Sequence, residues 1–151
     1  MDTLLIAKIL LTLVAVAQCI GPIKADFNQT HATNPHWTPH ARFHVVWQVL
    51  TQSGVSILSL VLIWLFPSEL NIWLAAIINF NWLVTFFATL ASMPVYGGAL
   101  KDVNGIKPFK FNIGGTIYEV DTNLFGAIFL SVFNIAAVLL LLASASDLAA
   151  L

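Results

Sequence analysis

The chain has 151 residues, of which 59% are apolar and only 9% are charged, and its mean hydropathy is +0.89. A soluble domain carries about 25% charged residues to keep its surface wetted, so this composition excludes an ordinary water-soluble protein. The net charge of −1 gives no basic surface for a nucleic-acid partner, and the single cysteine, Cys19, excludes an intrachain disulfide framework. We therefore expect an integral membrane protein whose main partner is the lipid bilayer.

Four apolar runs are long enough to cross a bilayer, for which about 20 residues suffice. They cover about 3–20, 40–66, 70–93 and 123–145. The predicted fold class is all-α: one membrane domain over 1–151, formed by a bundle of four transmembrane helices. The first run, which ends at Gly21-Pro22, could instead be a cleaved signal peptide, but the acidic Asp2 and the absence of an early basic residue favour a retained helix.

The connections between the runs differ in length and charge. Pro67-Ser68-Glu69 is a tight turn, which predicts that the second and third helices are antiparallel neighbours. The long loop before the fourth helix has alternating residues around a Gly-Gly turn, which indicates a small β-hairpin at the membrane surface. The positive-inside rule places the long loops in the cytoplasm and the termini on the opposite side. The basic residues near the long-loop side are Lys24, Arg42, Lys101, Lys107 and Lys110.

The second helix carries the most unusual polar pattern. Thr38-Pro39 is typical of an N-cap followed by proline at the first helical position, so His40 and His44 lie one turn apart on one face. Polar groups are expensive in lipid, so we expect this stripe to face the bundle interior. The stripe continues with Trp47, Gln48, Thr51 and Gln52. A functional role is favoured for His44, whereas functional and structural roles stay equally open for His40.

The third and fourth helices supply further polar side chains. Asn79 and Asn81 lie near the middle of the third helix, and Asn134 lies well inside the fourth. Together with Gln48 they could line a ligand pocket between helices. Each asparagine alone is more often interhelical hydrogen-bond glue. Arg42 could equally lie among lipid headgroups or hold an anionic group.

The types of residue in the four runs limit which metal sites the chain could form. The four runs hold no inward carboxylates for a dinuclear site, and a zinc hydrolase would need three ligands where only His40 and His44 are well placed. A haem needs one axial histidine and an apolar slot, which His44 and its surroundings can supply.

Short motifs also resemble known families. Ala41-Arg42-x-His44, with Trp37 before it, resembles a segment of the membrane styrene oxide isomerases, small four-helix proteins that bind haem b between subunits of a trimer and open epoxides to carbonyl compounds. That resemblance implies that His44 is the axial ligand of haem b. The longer Trp-x-Pro-His-Ala-Arg-Phe-His string is similar to an uncharacterised four-span membrane family, which implies no activity.

Three functions follow from these observations. The first is a membrane isomerase acting on an apolar, epoxide-like molecule between helices, with haem on His44 as Lewis acid and a homo-oligomer if haem lies between subunits. Its catalytic candidates are His40, Arg42, Gln48, Asn79 and Asn81. The second is a cofactor-free enzyme in which His40, Arg42 and His44 supply acid–base chemistry. The third is a non-enzymatic membrane binding or scaffold protein whose polar stripe is packing glue.

Overall fold

Four long helices and one β-hairpin make up the chain in the computed structural model, which describes residues 2–149. The elements are α1 (Thr3–Asp26), α2 (Pro39–Trp64), α3 (Glu69–Tyr96), β1 (Phe109–Ile113), β2 (Thr116–Val120) and α4 (Thr122–Ala149). All four helices are long and apolar enough to cross a membrane. The predicted four-span all-α fold, with its hairpin between the third and fourth helices, is confirmed.

Side-chain caps fix where three of the helices begin. Asp2, Thr38 and Ser68 each accept a hydrogen bond from a backbone N–H in the first turn of the helix that follows. These caps satisfy donors that would otherwise have no partner. Pro39 occupies the start of α2, as the sequence predicts, and α3 ends at Tyr96 with Gly97 as its C-cap, whose φ of 65° suits a glycine.

The first helix is longer than the sequence predicts. It continues through Pro22 to Asp26 instead of ending at Gly21-Pro22. Proline removes only one helical hydrogen bond, and the amide of Asn28 donates to the carbonyls of Lys24 and Ala25 at the end of the helix. Two carbonyls of the last turn therefore accept from a side chain, and those of Ile23 and Asp26 accept from the backbone N–H groups of Phe27 and Ala32.

The bundle is packed around α1. This helix lies against α2 and α4, α3 packs against the same two helices, and α1 and α3 also touch each other. Alanine supplies half of the main core, and these alanines let the helix backbones approach closely, as is usual where packing rather than hydrophobicity drives association in lipid. The core residues are Ala7, Leu11, Ile63, Ile72, Ala75, Ala76, Ala137 and Leu141.

The core lies toward the end of the bundle that holds the tight α2–α3 turn. Farther along, α3 has no buried residue from Val84 to Tyr96, and the first buried residue of α2 is Val49. The facing ends of α2 and α3 therefore stay largely open in the single chain.

The hairpin is antiparallel and packs on the start of α4. Lys110 pairs with Glu119 across the strands, and the rings of Phe109 and Phe111 lie 5.1 and 6.0 Å from the ring of Phe125. Its turn uses two glycines with φ of 59° and 86°, a conformation that a two-residue type I′ turn requires. Aromatic packing thus holds the hairpin at the long-loop end of the bundle.

Candidate functional site

A groove between α2 and α3 gathers part of the predicted polar stripe. It has a volume of about 530 Å³ and is open on one side in the single chain. We call it the α2–α3 groove. Its lining residues are His44, Trp47, Gln48, Thr51 and Gln52 from α2 and Trp82, Thr85, Phe86 and Thr89 from α3.

The expected inward orientation of the stripe is wrong for most of its members. His40, His44, Gln48 and Thr51 are exposed in the single chain, whereas Gln52 is half-buried. The buried face of α2 instead comprises Val49, Ser53, Ser56, Ser59 and Ile63. Because small side chains allow close helix packing in a membrane, the serines take the interior positions and turn the larger polar groups toward the groove.

The two histidines of the stripe contact each other. The Nε2 atoms of His40 and His44 lie 3.0 Å apart, and the rings meet edge to face with centroids 4.5 Å apart. This is a hydrogen-bond distance, and the tautomers of the two rings decide which nitrogen donates. Trp47 lies beside His44, with ring centroids 6.0 Å apart. The groove therefore has a pair of contacting histidines at one end and aromatic side chains next to it.

Arg42 holds the loop that leads into α2. Its Nε donates a hydrogen bond of 3.2 Å to the carbonyl of Trp37, and it forms no ion pair with any carboxylate of the described residues. It does not line the α2–α3 groove. The structure thus places Arg42 at the entrance to the second helix rather than beside the groove.

Contacts among its own residues hold the loop between α1 and α2 in place. His31 lies 3.4 Å from the carboxylate of Asp26, and its ring meets Trp37 edge to face. The indole of Trp37 also lies 3.4 Å from Asp102 in the long loop. The backbone N–H of Asn104 and this indole lower the pKa of Asp102, because both stabilise the charged carboxylate. The two long loops therefore touch each other at the end of the bundle that holds His40.

Asn79 lies in the bundle core and not in the groove. It is fully buried, and its amide donates to the carbonyl of Leu11 at 3.1 Å. Its own backbone carbonyl accepts from the buried Gln18 at 2.9 Å, and the amide of Gln52 lies 3.5 Å from the Gln18 oxygen. Asn79 therefore joins α1 to α3, which agrees with the interpretation of isolated asparagines as hydrogen-bond glue.

The other two asparagines also lie outside the groove. Asn134 is fully buried and donates to the carbonyl of Ala76 at 3.4 Å, whereas Asn81 is exposed. The side-chain oxygens of Asn79 and Asn134 are buried without a hydrogen-bond partner among the described residues. Of the candidate residues, the structure brings together only His40, His44 and Gln48.

Several buried polar residues were missed by the sequence analysis, namely Gln18, Asn34, Ser53, Ser56 and Ser59. Gln18 and Ser53 both connect α1 to a neighbour, since Ser53 donates to the carbonyl of Cys19 at 3.0 Å. Gln18 could have been noticed as a strongly polar residue within an apolar run. Within residues 2–145, whose side chains the structure describes, no group of three or more histidine, cysteine or acidic residues is placed to bind a metal ion.

Comparison with known families gives one match. Residues 10–101 match the family of unknown function DUF6640, and the match covers more than half of the chain. The chain belongs to this family. The matched DUF6640 region contains the whole α2–α3 groove and ends before the hairpin and α4. No curated protein and no solved structure matches the chain, so the resemblance to styrene oxide isomerases gains no support from these comparisons.

Proposed function

We propose that this DUF6640 protein is a membrane enzyme that binds an apolar small molecule in the α2–α3 groove and isomerises it. The observation that carries the proposal is the His40–His44 contact at 3.0 Å, next to a groove of about 530 Å³. Pockets of about 300–1,000 Å³ suit drug-sized ligands. A mainly apolar groove with a few polar groups can orient a molecule that arrives from the bilayer.

The groove offers separate environments for the two parts of such a molecule. Trp47, Trp82 and Phe86 supply aromatic surface for an apolar body. The amide of Gln48 and the imidazole of His44 lie on the same helix face, one turn apart, and can hydrogen-bond an oxygen function. An aryl epoxide combines an apolar body with one oxygen, so it is the substrate class that we propose.

The isomerisation needs no oxidant or reductant. The histidine pair donates a proton to the epoxide oxygen, one carbon–oxygen bond breaks, and a hydride moves from the oxygen-bearing carbon to the neighbouring cationic carbon. The resulting protonated carbonyl returns its proton to the pair, so the proton balance closes in each turnover. General acid–base groups of this kind contribute about 10²–10⁴-fold to rate.

Haem b is a second way of polarising the same oxygen. The groove has aromatic walls and one imidazole, His44, that would hold the iron, so the residues present are compatible with a haem. When bound, the iron would supply a Lewis acid. For His44 to hold it through Nε2, the contact with His40 must open. A Soret band in protein from haem-replete cells, lost in His44→Ala, supports this version, and a colourless wild type contradicts it.

The enzymatic proposal is tested with purified protein and a panel of aryl and alkyl epoxides, with carbonyl products measured by gas chromatography. We expect wild-type turnover and a loss of about 10²-fold in His44→Ala. The matched control is His36→Ala, because His36 is an exposed loop histidine outside the groove. A wild type without turnover, or His44→Ala with full turnover, overturns the proposal.

A non-enzymatic role is the alternative, and the buried polar contacts favour it. Gln18, Asn79 and Asn134 all bond backbone carbonyls of neighbouring helices, which is packing glue rather than chemistry. Under this alternative the groove binds an apolar ligand without converting it. Thermal stabilisation by aryl ketones or epoxides without any product formation would favour it over the enzyme.

The open groove also suggests how copies of the protein associate, and the basic residues suggest how the protein is oriented in the membrane. Phe43 and Trp47 are 61% and 59% exposed beside the histidine pair. A second copy packing there would close the groove, and we propose a homo-oligomer on that basis. We further propose that the long loops face the cytoplasm, since five of the six basic residues lie in these loops or in the helix turns next to them.

A further inference from the structure

A second crevice lies at the other end of the bundle, near the tight α2–α3 turn. It has a volume of about 210 Å³ and is lined by residues of α1, α3 and α4 together with the turn. Its volume is below the ~300 Å³ at which pockets for drug-sized ligands begin, so it suits a small polar headgroup better. Because helices begin and end here, the crevice lies at the level of the lipid headgroups.

Lys8 brings a positioned positive charge to this crevice. Its ammonium lies 4.3 Å from the ring centroid of Trp64. That indole is held in place by donating to the hydroxyl of Thr12 at 2.9 Å, and the same hydroxyl donates to the carbonyl of Lys8 at 2.7 Å. Lys8 forms no ion pair within residues 2–145, whose side chains the structure describes. The contact with Trp64 therefore holds the Lys8 ammonium in position, and no carboxylate within residues 2–145 neutralises its charge.

Glu69 brings a negative charge to the same crevice. It occupies the first turn of α3, next to the N-cap Ser68, and lines the crevice together with Lys8. Its carboxylate has no ion-pair partner in the described part of the chain. Ile72, Trp73 and Leu141 also line the crevice, and we call these three side chains its apolar floor. Two unpaired charges of opposite sign thus share one small interfacial crevice.

We propose that this crevice binds a phospholipid with a zwitterionic, primary-amine headgroup of the ethanolamine type. The lipid phosphate pairs with Lys8, and the ammonium donates charge-assisted hydrogen bonds to Glu69. A glycerol headgroup would offer Glu69 neutral hydroxyls and no ammonium to balance its charge, and a choline headgroup has no N–H to donate. The acyl chains lie along the apolar floor. This site is independent of the α2–α3 groove and of its proposed activity.

Native mass spectrometry of the full chain tests this assignment with equal amounts of dioleoyl phosphatidylethanolamine, phosphatidylcholine and phosphatidylglycerol. We expect one tightly held phosphatidylethanolamine per wild-type chain, bound about tenfold more tightly than the other lipids, as one charge-assisted hydrogen bond provides. Lys8→Gln should weaken this binding about tenfold, and Glu69→Gln should abolish the preference over phosphatidylglycerol.

Matched controls are Lys24→Gln and Glu119→Gln, which remove one charge of each sign at the opposite end of the bundle and should leave the lipid preference unchanged. Circular dichroism confirms that each variant keeps its helices, so a lost preference reports the crevice. Equal binding of the three lipids to wild type overturns the proposal. A preference that survives both Lys8→Gln and Glu69→Gln, or tightest binding of phosphatidylglycerol, also overturns it.

Discussion

Asn79 shows how a buried amide can join neighbouring helices of this bundle. It is fully buried, its amide donates to the carbonyl of Leu11, and its backbone carbonyl accepts from Gln18. Substituting the side chain removes one contact between α1 and α3 and leaves a small cavity.

Asn79→Ala should therefore lower the free energy of unfolding by about 1–2 kcal/mol, the sum of a lost interhelical hydrogen bond and lost packing. Reversible unfolding in mixed detergent micelles measures the difference. Asn81→Ala is the matched control on the same helix, and it should stay within about 0.5 kcal/mol because Asn81 is exposed. Equal losses in the two variants would contradict the assignment of Asn79 to the core.

His44 should behave in the opposite way. It is exposed in the single chain, and its only hydrogen-bond partner among the described residues is His40. His44→Leu should therefore change the free energy of unfolding by less than about 0.5 kcal/mol, since no buried contact is lost. The same micelle unfolding measurement applies. A loss of several kcal/mol would mean that His44 holds the fold together and is not reserved for a ligand.

At the scale of elements, Lys110 and Glu119 test the register of the hairpin. Their charged groups lie 2.8 Å apart across the strands, and the hydrogen bond and charge of Lys110 lower the pKa of Glu119 below its ordinary value. A lowered carboxyl pKa contributes stability above the pKa of the unfolded chain, and that contribution is lost as the pH falls through the folded pKa.

We expect the carboxyl carbon resonance of Glu119 to titrate at a lower pH in the wild type than in Lys110→Ala. Nuclear magnetic resonance in micelles, with labelled glutamate, measures both midpoints. Lys107→Ala serves as the control, because Lys107 is not paired with Glu119 in the hairpin. Identical midpoints in wild type and Lys110→Ala would contradict the observed register.

Helices and caps could be predicted from the sequence because their signals are local. Four long apolar runs define the spans, Thr38-Pro39 marks the start of α2, and the Gly-Gly pair marks the hairpin turn. The first helix runs past its expected end, since the contacts that Asn28 makes with the last turn depend on the fold of the loop.

The sequence could not predict which face of α2 is buried, because this depends on which face packs more closely against the neighbouring helices. Polarity suggested that the His and Gln stripe would turn inward. The structure buries Ser53, Ser56 and Ser59 instead, and Ser59 donates to the carbonyl of Ala75 at 3.4 Å. Serine looks polar in a sequence but packs as a small residue between helices. Of the candidate residues, His44 and Gln48 line the groove and His40 contacts His44, whereas Asn79 lies in the core and Asn81 is exposed outside the groove; their catalytic roles stay predictions.

For the whole molecule, labelling of single cysteines can measure the orientation in the bilayer. Asn104 lies in the long loop and Ser68 in the α2–α3 turn, at opposite ends of the bundle, and both are exposed. In a Cys19→Ser background, Asn104→Cys should react with an impermeant maleimide only from the cytoplasmic side, and Ser68→Cys only from the other. The reverse pattern would contradict the proposed orientation while leaving the fold intact.

The central claim is that the α2–α3 groove is where a ligand binds. The most direct measurement is photolabelling of the membrane-reconstituted protein with a diazirine-bearing aryl ether, followed by peptide mapping. We expect label on both walls, within residues 44–52 and 82–89, and loss of that label when an unlabelled aryl epoxide is added. Label spread over the lipid-facing surfaces of all four helices, with no competition, would contradict a binding site in the groove.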